Sequence, residues 1–418
     1  MKRAVGLVVV VAALAAASGA TAQRGQAPDI AKLLQAPDVK AALDWIPSAE
    51  GRVLEDQVEL TEIPAPPFKE GPRAEAIRRK FAEAGLKNVR VDKAGNVLGE
   101  RPGASPRPLV VIAAHLDTVF PEGTDVRVKR EGTVLRAPGI ADDGRGLAVL
   151  LGVARALAHG NVQTPGTIVF VADVGEEGLG DLRGVKQLFG DTLKGQVDAF
   201  VSVDGTGHGI TNVGVGSHRY RVSFRGPGGH SFGAFGLVNP VHALGRAVAR
   251  IAAFEVPSQP KVTFNVGRIG GGTSVNSIAY EAWFEIDMRS SDAAALASVD
   301  ANFQDAVDRA VRDEQERWNN GRLTAAKDLV GDRPAGRTPE TAPIVQAAAA
   351  VNRSFGLPVS LGEGSTDSNI PMSLGIPAIT VGGGGRGTGG HSLAEAFDST
   401  DSWKGTQRVL ALAVALAR

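Results

Sequence analysis

Four short and almost wholly apolar runs, separated by segments with helical periodicity, constrain the fold of this chain more than any other feature. The runs cover residues 109–113, 167–171, 200–203 and 378–381. Helical patterns between them include residues 147–158 and 342–354. A strand that is apolar throughout is typical of a parallel sheet covered on both faces. The alternation therefore predicts an α/β fold with a mostly parallel central sheet flanked by helices.

The middle of the chain has a different pattern. Residues 220–224, 261–264 and 279–288 have strand-like patterns, and residues 242–253 and 293–313 have the apolar spacing of amphipathic helices. Two strand-rich runs, each joined to a helix, predict a small α+β domain at residues 217–332. It would be inserted into a catalytic domain formed by residues 23–216 and 333–418.

The first 22 residues predict a cleaved secretory signal. Lys2 and Arg3 form a basic start, residues 4–17 are apolar, and Ala20-Thr21-Ala22 fits a small-residue cleavage site. The apolar run is shorter than the ~20 residues that a membrane-spanning helix needs. We expect the mature protein to be soluble and exported, either periplasmic or secreted, with no membrane attachment after cleavage.

Composition excludes several classes of function. Lys and Arg total 45, and Asp and Glu total 45, so the chain lacks the positive charge excess that nucleic-acid binding requires. Cysteine is absent, which excludes a disulfide framework, a thiol nucleophile and a thiolate metal site.

Acidic or histidine residues follow every predicted strand of the central sheet or open the helix after it. They are His115, Asp117, Asp142, Asp143, Glu176, Glu177, Asp204 and His391. In open α/β sheets, ligands bind outside the carboxyl ends of the strands, so we expect these side chains to converge. Oxygen and imidazole donors without sulfur suit zinc, cobalt or manganese. So many carboxylates in one crevice predict two divalent ions, bridged by one carboxylate.

The order of the motifs HLDTV, GIADDGRG, GEEGLGD, SVDG, GGHS, EGSTDSN and GGHSLAE resembles that of the co-catalytic M20 family of metallopeptidases. The resemblance extends from about residue 60 to the C-terminus and is closest in style to the tripeptidase (peptidase T-like) branch. It implies two zinc ions, with cobalt or manganese as alternatives, and an inserted lid or dimerisation domain. The metal ligands that it implies are His115, Asp142, Glu177, Asp204 and His391, with Asp142 bridging.

The same resemblance implies roles for other residues. Glu176 would be the general base, and Asp117 would orient a histidine ligand, His115. His230, in the inserted segment, is similar to the family histidine that stabilises the oxyanion, often across a dimer. Asn276 and Arg289 fall where family members hold the substrate backbone or its carboxylate.

The implied activity is hydrolysis of amide bonds in short peptides by metal-bound hydroxide, with Glu176 as the base. An aspartate at position 204 resembles the aminopeptidase and tripeptidase branch, whereas glutamate is usual in carboxypeptidases and deacylases. We therefore predict an aminopeptidase or tripeptidase. The resemblance also implies a homodimer through the inserted domain. An M20-type carboxypeptidase or N-acyl amino acid amidohydrolase is the alternative.

Two rival functions and one departure from the family pattern stay open at this point. Gly229-His230-Ser231-Phe232-Gly233 matches the G-x-S-x-G motif of serine hydrolases, although that motif needs a strand, a tight turn and an immediate helix. A non-catalytic binding protein on the same fold is the other rival. The family commonly has lysine after Asp-Asp, whereas this chain has Gly144-Arg145, and we expect no catalytic role for Arg145.

Overall fold

The structure is a computed structural model that describes residues 29–418. In these residues the helices are α1 Ile30–Leu34, α2 Pro37–Thr61, α3 Gly71–Glu83, α4 Gly144–His159, α5 Arg183–Gln187, α6 Pro240–Ala252, α7 Ala293–Trp318, α8 Pro343–Ser354, α9 Asn369–Ser373 and α10 Trp403–Leu416. None of them combines the length and apolar character that a membrane crossing requires. The predicted signal at residues 1–22 lies outside the described residues.

The strands fall into one large sheet and several smaller ones. In chain order they are β1 Lys87–Val91, β2 Val97–Arg101, β3 Leu109–His115, β4 Lys129–Glu131, β5 Val134–Arg136, β6 Thr167–Asp173, β7 Ala199–Val203, β8 Ile210–Gly214, β9 Gly216–Arg225, β10 Gly229–His230, β11 Val262–Gly271, β12 Ser277–Ile278, β13 Glu281–Ser290, β14 Thr324–Arg333, β15 Gly336–Arg337, β16 Leu361–Gly364, β17 Ala378–Val381, β18 Arg386–Thr388 and β19 Ala396–Asp398.

The four predicted apolar runs form the middle of the large sheet. Their strands lie in the order β6-β3-β7-β17, and each pairs parallel with its neighbour. Antiparallel strands extend this centre on both sides to give the order β1-β2-β6-β3-β7-β17-β8-β15, and β16 pairs parallel with β8. The predicted α/β fold with a parallel sheet at its centre is confirmed.

Helices cover both faces of this sheet, which explains why its central strands are apolar throughout. On one face, Val110 and Ile112 of β3 belong to a large core that includes residues of α2, α4, α8 and α10. On the other face, Val111 and Ala113 pack in a smaller core that includes residues of α5 and α9. With both faces filled by apolar side chains, polar groups gather at the strand ends.

Residues 216–333 form a second, antiparallel sheet in the order β11-β13-β9-β14. Helices α6 and α7 pack against it around a separate core that includes Phe224, Phe284 and Phe303. The strands and helices predicted for this segment are present, although β11 and α7 extend further than their patterns indicated. Strand β14 was not predicted, because it is an edge strand whose residues are mostly polar or exposed.

A small four-stranded sheet, in the order β18-β19-β5-β4, joins two loops that matter for the site. Residues 137–143 connect β5 to α4, and residues 389–395 connect β18 to β19. Because β19 pairs with β5, these two loops lie side by side although they are far apart in sequence.

Candidate metal centre

The carboxyl ends of the parallel strands bring the predicted ligands together. His115 is the last residue of β3, and Asp204 directly follows β7. Asp142 lies in the loop before α4, Glu177 in the loop after β6, and His391 in the loop after β18. These five residues come from five segments, and the shared sheet edge makes them neighbours.

Three groups of side chains have ligand atoms that all lie within 4.8 Å of one another: His115, Asp142 and Asp204; Asp142, Glu177 and His391; and His115, Glu176 and Glu177. The first two groups share Asp142. Its Oδ1 is 3.0 Å from Nε2 of His115, and its Oδ2 is 3.1 Å from Nε2 of His391. One carboxylate therefore has an oxygen facing each imidazole, which is the arrangement that a bridging ligand needs.

The two remaining carboxylates divide between the two imidazoles. Oε1 of Glu177 lies 3.1 Å from Nε2 of His391, and Oδ1 of Asp204 lies 4.0 Å from Nε2 of His115. Each side thus has one histidine and one carboxylate of its own, with Asp142 between them. The donor set and its spacing fit two divalent cations.

The electrostatics of the cluster favour bound cations. Burial, with the neighbouring carboxylates Glu176 and Asp142, raises the pKa of Glu177 to about 8. Burial and the charge of Asp142 raise the pKa of Asp204 to about 7. Both carboxylates resist ionisation because burial and the neighbouring carboxylates outweigh the attraction of the histidines, and a divalent ion would remove that cost.

Asp117 contacts the predicted ligand His115 through its main chain. Its main-chain carbonyl oxygen, not its carboxylate, lies at hydrogen-bond distance from Nδ1 of His115, at 3.0 Å, whereas the carboxylate oxygen is 3.7 Å away. The carboxylate instead accepts three main-chain N–H bonds, from Gly175 at 2.9 Å, Glu176 at 3.0 Å and Glu177 at 2.8 Å. It therefore holds the loop that carries Glu176 and Glu177, because a buried carboxylate is most stable where several donors satisfy it.

Sequence reasoning missed the partner of Glu176. Glu176 is buried, and its Oε1 accepts a hydrogen bond of 3.1 Å from Nη1 of Arg333, while Nη2 of Arg333 donates to the main-chain oxygen of Glu176. Arg333 is the last residue of β14 and lies 157 positions from Glu176. No local sequence pattern indicates that Arg333 contacts Glu176, because Arg333 lies on a strand that the sequence did not predict.

A cavity of about 420 Å³ opens onto these side chains. Its lining includes four of the predicted ligands, Asp142, Glu177, Asp204 and His391, with Glu176 and three arginines, Arg219, Arg289 and Arg333. The predicted substrate-binding residue Arg289 therefore faces the same cavity as the ligands. Arg219 and Arg289 both donate to Asp287, at 2.9 Å and 2.7 Å.

His230 and Asn276 are not among the residues that line this cavity. His230 ends β10 and Asn276 directly precedes β12, its partner strand; beside them the main-chain N–H of Ser231 donates to the carbonyl of Asn276 at 2.9 Å. Nδ1 of His230 accepts from the main-chain N–H groups of Phe232 and Gly233, both at 3.2 Å. A ring that accepts at Nδ1 carries its proton at Nε2, so His230 can donate a hydrogen bond outward.

Two sequence features prove to be structural. After Ser231 the chain forms turns, and α6 begins only at Pro240, so the G-x-S-x-G match lacks the immediate helix of a nucleophile elbow. The fully buried Arg145 donates to the carbonyl oxygens of Gly383 and Ser402, at 2.8 Å and 2.6 Å, and to Glu50 at 3.1 Å. Arg145 thus ties α4 to two distant loops and does not face the cavity.

A model of peptidase family M20/M25/M40 matches residues 111–415. The chain is 24% identical over 354 residues to the uncharacterized protein YqjE of Bacillus subtilis (strain 168), covering 79% of this chain and 90% of that protein. It is 22% identical over 335 residues to succinyl-diaminopimelate desuccinylase of Corynebacterium glutamicum, covering 78% and 86%. The fold is similar to that of a tripeptidase from Staphylococcus aureus subsp. aureus Mu50, with a TM-score of 0.72, 22% identity, and coverage of 88% of this chain and 99% of that one.

The family match spans well over half of the chain and covers all five predicted ligands. The chain belongs to peptidase family M20/M25/M40 and is a hydrolase that acts on peptide bonds.

Proposed function

We propose that the chain is a two-metal peptidase that removes the N-terminal residue from short peptides. His115 and Asp204 would hold one divalent ion, His391 and Glu177 the other, and Asp142 would bridge them. Zinc is the proposed metal, and cobalt or manganese suits the same donors. The observation that carries the proposal is the placement of one Asp142 oxygen beside each imidazole, at 3.0 Å and 3.1 Å. Bound ions of this kind polarise the scissile carbonyl and activate water.

Glu176 is the proposed general base. It lines the cavity among the ligands, and burial raises its pKa, which favours a group that takes up a proton and gives it back. In the proposed reaction Glu176 takes the proton from the attacking water and returns it to the leaving amine. The hydrogen bonds from Arg333 hold the carboxylate in place for both transfers.

The basic wall of the cavity suits a substrate with a free carboxylate. Arg219, Arg289 and Arg333 line the side of the cavity that the second sheet contributes. A tripeptide with a free C-terminus would satisfy this wall. The similarity to a tripeptidase fold and the aspartate at position 204 support the tripeptidase proposal.

An N-acyl amino acid also carries a carboxylate that fits the same arginines. The sequence similarity to a succinyl-diaminopimelate desuccinylase therefore favours an amidohydrolase as the second candidate.

We also propose that residues 217–332 act as a lid and form a homodimer that delivers His230. The segment around His230 and Asn276 exposes large apolar side chains: Phe232 is 89%, Phe235 76% and Val275 103% exposed. Such a patch on one face indicates a protein partner. A second copy covering it would bring its own His230 towards a cavity that this residue does not line within one chain.

The experiment that separates the candidates is a hydrolysis time course on one tripeptide in three forms: free, blocked at the amine, and blocked at the carboxylate. Each form is measured on the metal-free protein and after addition of zinc, cobalt or manganese. The proposal expects metal-dependent hydrolysis that is lost when the amine is blocked. Hydrolysis that survives amine blocking but not carboxylate blocking would indicate a carboxypeptidase or amidohydrolase instead.

A further inference from the structure

The loop that carries His391 does not by itself fix the position of the His391 imidazole. Two glycines, Gly389 and Gly390, separate His391 from the end of β18, and the side chain of His391 is 57% exposed. Glycine gives a chain more conformational freedom than any other residue. His391 also adopts φ = 62°, a left-handed conformation that persists only where surrounding contacts impose it. Something outside this loop must therefore hold the imidazole beside Asp142.

Glu395, four residues after His391, makes the contacts that could do so. Its side chain is almost fully buried, with 1% exposure. Oε2 accepts the main-chain N–H of Gly139 at 3.0 Å, and Oε1 accepts those of Ala141 at 2.8 Å and Asp142 at 3.0 Å. Hydrogen bonds to a charged acceptor are about twice as strong as neutral ones. Glu395 thus fastens its own segment to the loop that carries Asp142.

A tight, hydrogen-bonded turn connects Glu395 to His391. The main-chain N–H of Ser392 donates to the carbonyl of Gly389 at 3.0 Å, and that of Glu395 donates to the carbonyl of Ser392 at 3.1 Å. The hydroxyl of Ser392 closes the same turn on Gly389 at 2.7 Å. His391 and Glu395 therefore move as one unit, and fixing Glu395 fixes His391.

The two ligands that belong to the other side alone, His115 and Asp204, do not contact Glu395. His115 ends a central strand, its main-chain N–H donates to Asp143 at 3.2 Å, and its ring is held by the carbonyl of Asp117. Asp204 directly follows β7, another central strand. The sheet positions these two residues. The position of His391 depends instead on its loop and on the hydrogen bonds that Glu395 accepts from residues 139–142.

We propose that Glu395 is the positioning residue for the ion held by His391, Glu177 and Asp142, and that it raises the metal affinity of this site more than that of the other site. Both of its oxygens are engaged by N–H groups, so it acts through the loops and not as a ligand. The inference rests on the two-metal centre proposed above. Removing the outer partners of metal ligands typically weakens metal affinity by about 10–100-fold.

The test is a metal titration of Glu395→Gln, which keeps the shape of the side chain but removes its charge and one acceptor. Zinc affinities of both sites are measured by competition with a chromophoric chelator, and cobalt absorption reports each site's coordination. We expect the ion at the His391 site, identified as the ion that His391→Ala weakens, to lose about 10–100-fold in affinity, and the ion at the His115 site, which shares only Asp142, to lose clearly less. His391→Ala is the benchmark that should weaken the same ion, and Glu340→Gln, an exposed carboxylate, is the matched control.

The outcomes separate this inference from the proposed function. If the wild-type protein binds no ions, the two-metal centre itself is wrong. If the wild type binds two and Glu395→Gln binds both with unchanged affinity, or loses both equally, the positioning role is wrong while the centre stands. Thermal unfolding of the metal-free proteins checks the fold. Should Glu395→Gln not fold, Glu395→Asp, which keeps the charge but shortens its reach, is titrated instead with the same expected result.

Discussion

Two buried carboxylates beneath the centre lead to a prediction about stability. Asp173 ends β6 and Asp367 precedes α9; both are almost fully buried, and no hydrogen-bond donor reaches either carboxylate among the described residues. Burial raises the pKa of Asp173 to about 7, and burial with the charge of Asp173 raises the pKa of Asp367 well above its usual value. At neutral pH the pair therefore holds a proton that two solvated aspartates would release.

The size and sign of the effect follow from this pKa. Compared with the ordinary value of 3.8, a pKa of about 7 is a rise of roughly 3 units, and each unit corresponds to about 1.4 kcal/mol. Because the folded state binds the proton more tightly than the unfolded state, the free energy of unfolding falls as pH rises from about 4 to 7. Asp173→Asn is neutral at every pH and can donate a hydrogen bond to Asp367. The variant should match the wild type near pH 4 and exceed it by up to about 4 kcal/mol above pH 7.

The assay is urea unfolding of both proteins without metal, in the presence of a chelator, at several pH values between 4 and 8. The exposed residue Asp328 supplies the control substitution, Asp328→Asn, for which the difference from wild type should not change with pH. A variant that is less stable than the wild type at pH 8, or a difference that is constant over the whole range, would refute the reasoning.

Three further substitutions test the roles of residues around the cavity. Glu176→Ala should keep its metal ions but lose at least ~100-fold in turnover of a tripeptide, and full activity would show that the base is misassigned. Arg333→Lys keeps the charge but cannot make both contacts with Glu176; we expect kcat to fall by ~10- to 100-fold with metal content unchanged, whereas a rise in KM alone would mean that Arg333 serves substrate binding instead. Arg145→Met removes one partner of a buried ion pair and should lower the free energy of unfolding by about 3–5 kcal/mol without changing metal content; loss of metal with unchanged stability would contradict the structural role.

The centre of the fold could be predicted from sequence because its cause is local. A strand buried on both faces must be apolar along most of its length, so the four central strands stand out through the almost wholly apolar runs 109–113, 167–171, 200–203 and 378–381. The antiparallel edges lack this signal, since only part of each strand is buried. Strand β14 is the extreme case, because it carries polar and exposed residues along the edge of the second sheet.

The convergence of the acidic and histidine side chains at one sheet edge could be predicted for a related reason. Polar residues at the ends of apolar strands have no place in the core, and the parallel topology brings those ends together. The residues that contact these side chains and their loops gave no such signal. The carbonyl oxygen of Asp117 contacts the ring of His115, and its carboxylate accepts hydrogen bonds from the main chain of the loop that carries Glu176. Arg333 and Glu395 each contact a loop that is more than 150 positions away in the sequence. Contacts of this kind exist only once the chain has folded.

Counting the metal ions bound to the purified protein is the decisive measurement. Native mass spectrometry of the chain after incubation with zinc and removal of the excess should find two ions per chain, and stripping them with a chelator should abolish peptide hydrolysis. Absence of ions after remetallation, or hydrolysis that continues undiminished without them, would contradict the two-metal centre built on His115, Asp142, Glu177, Asp204 and His391.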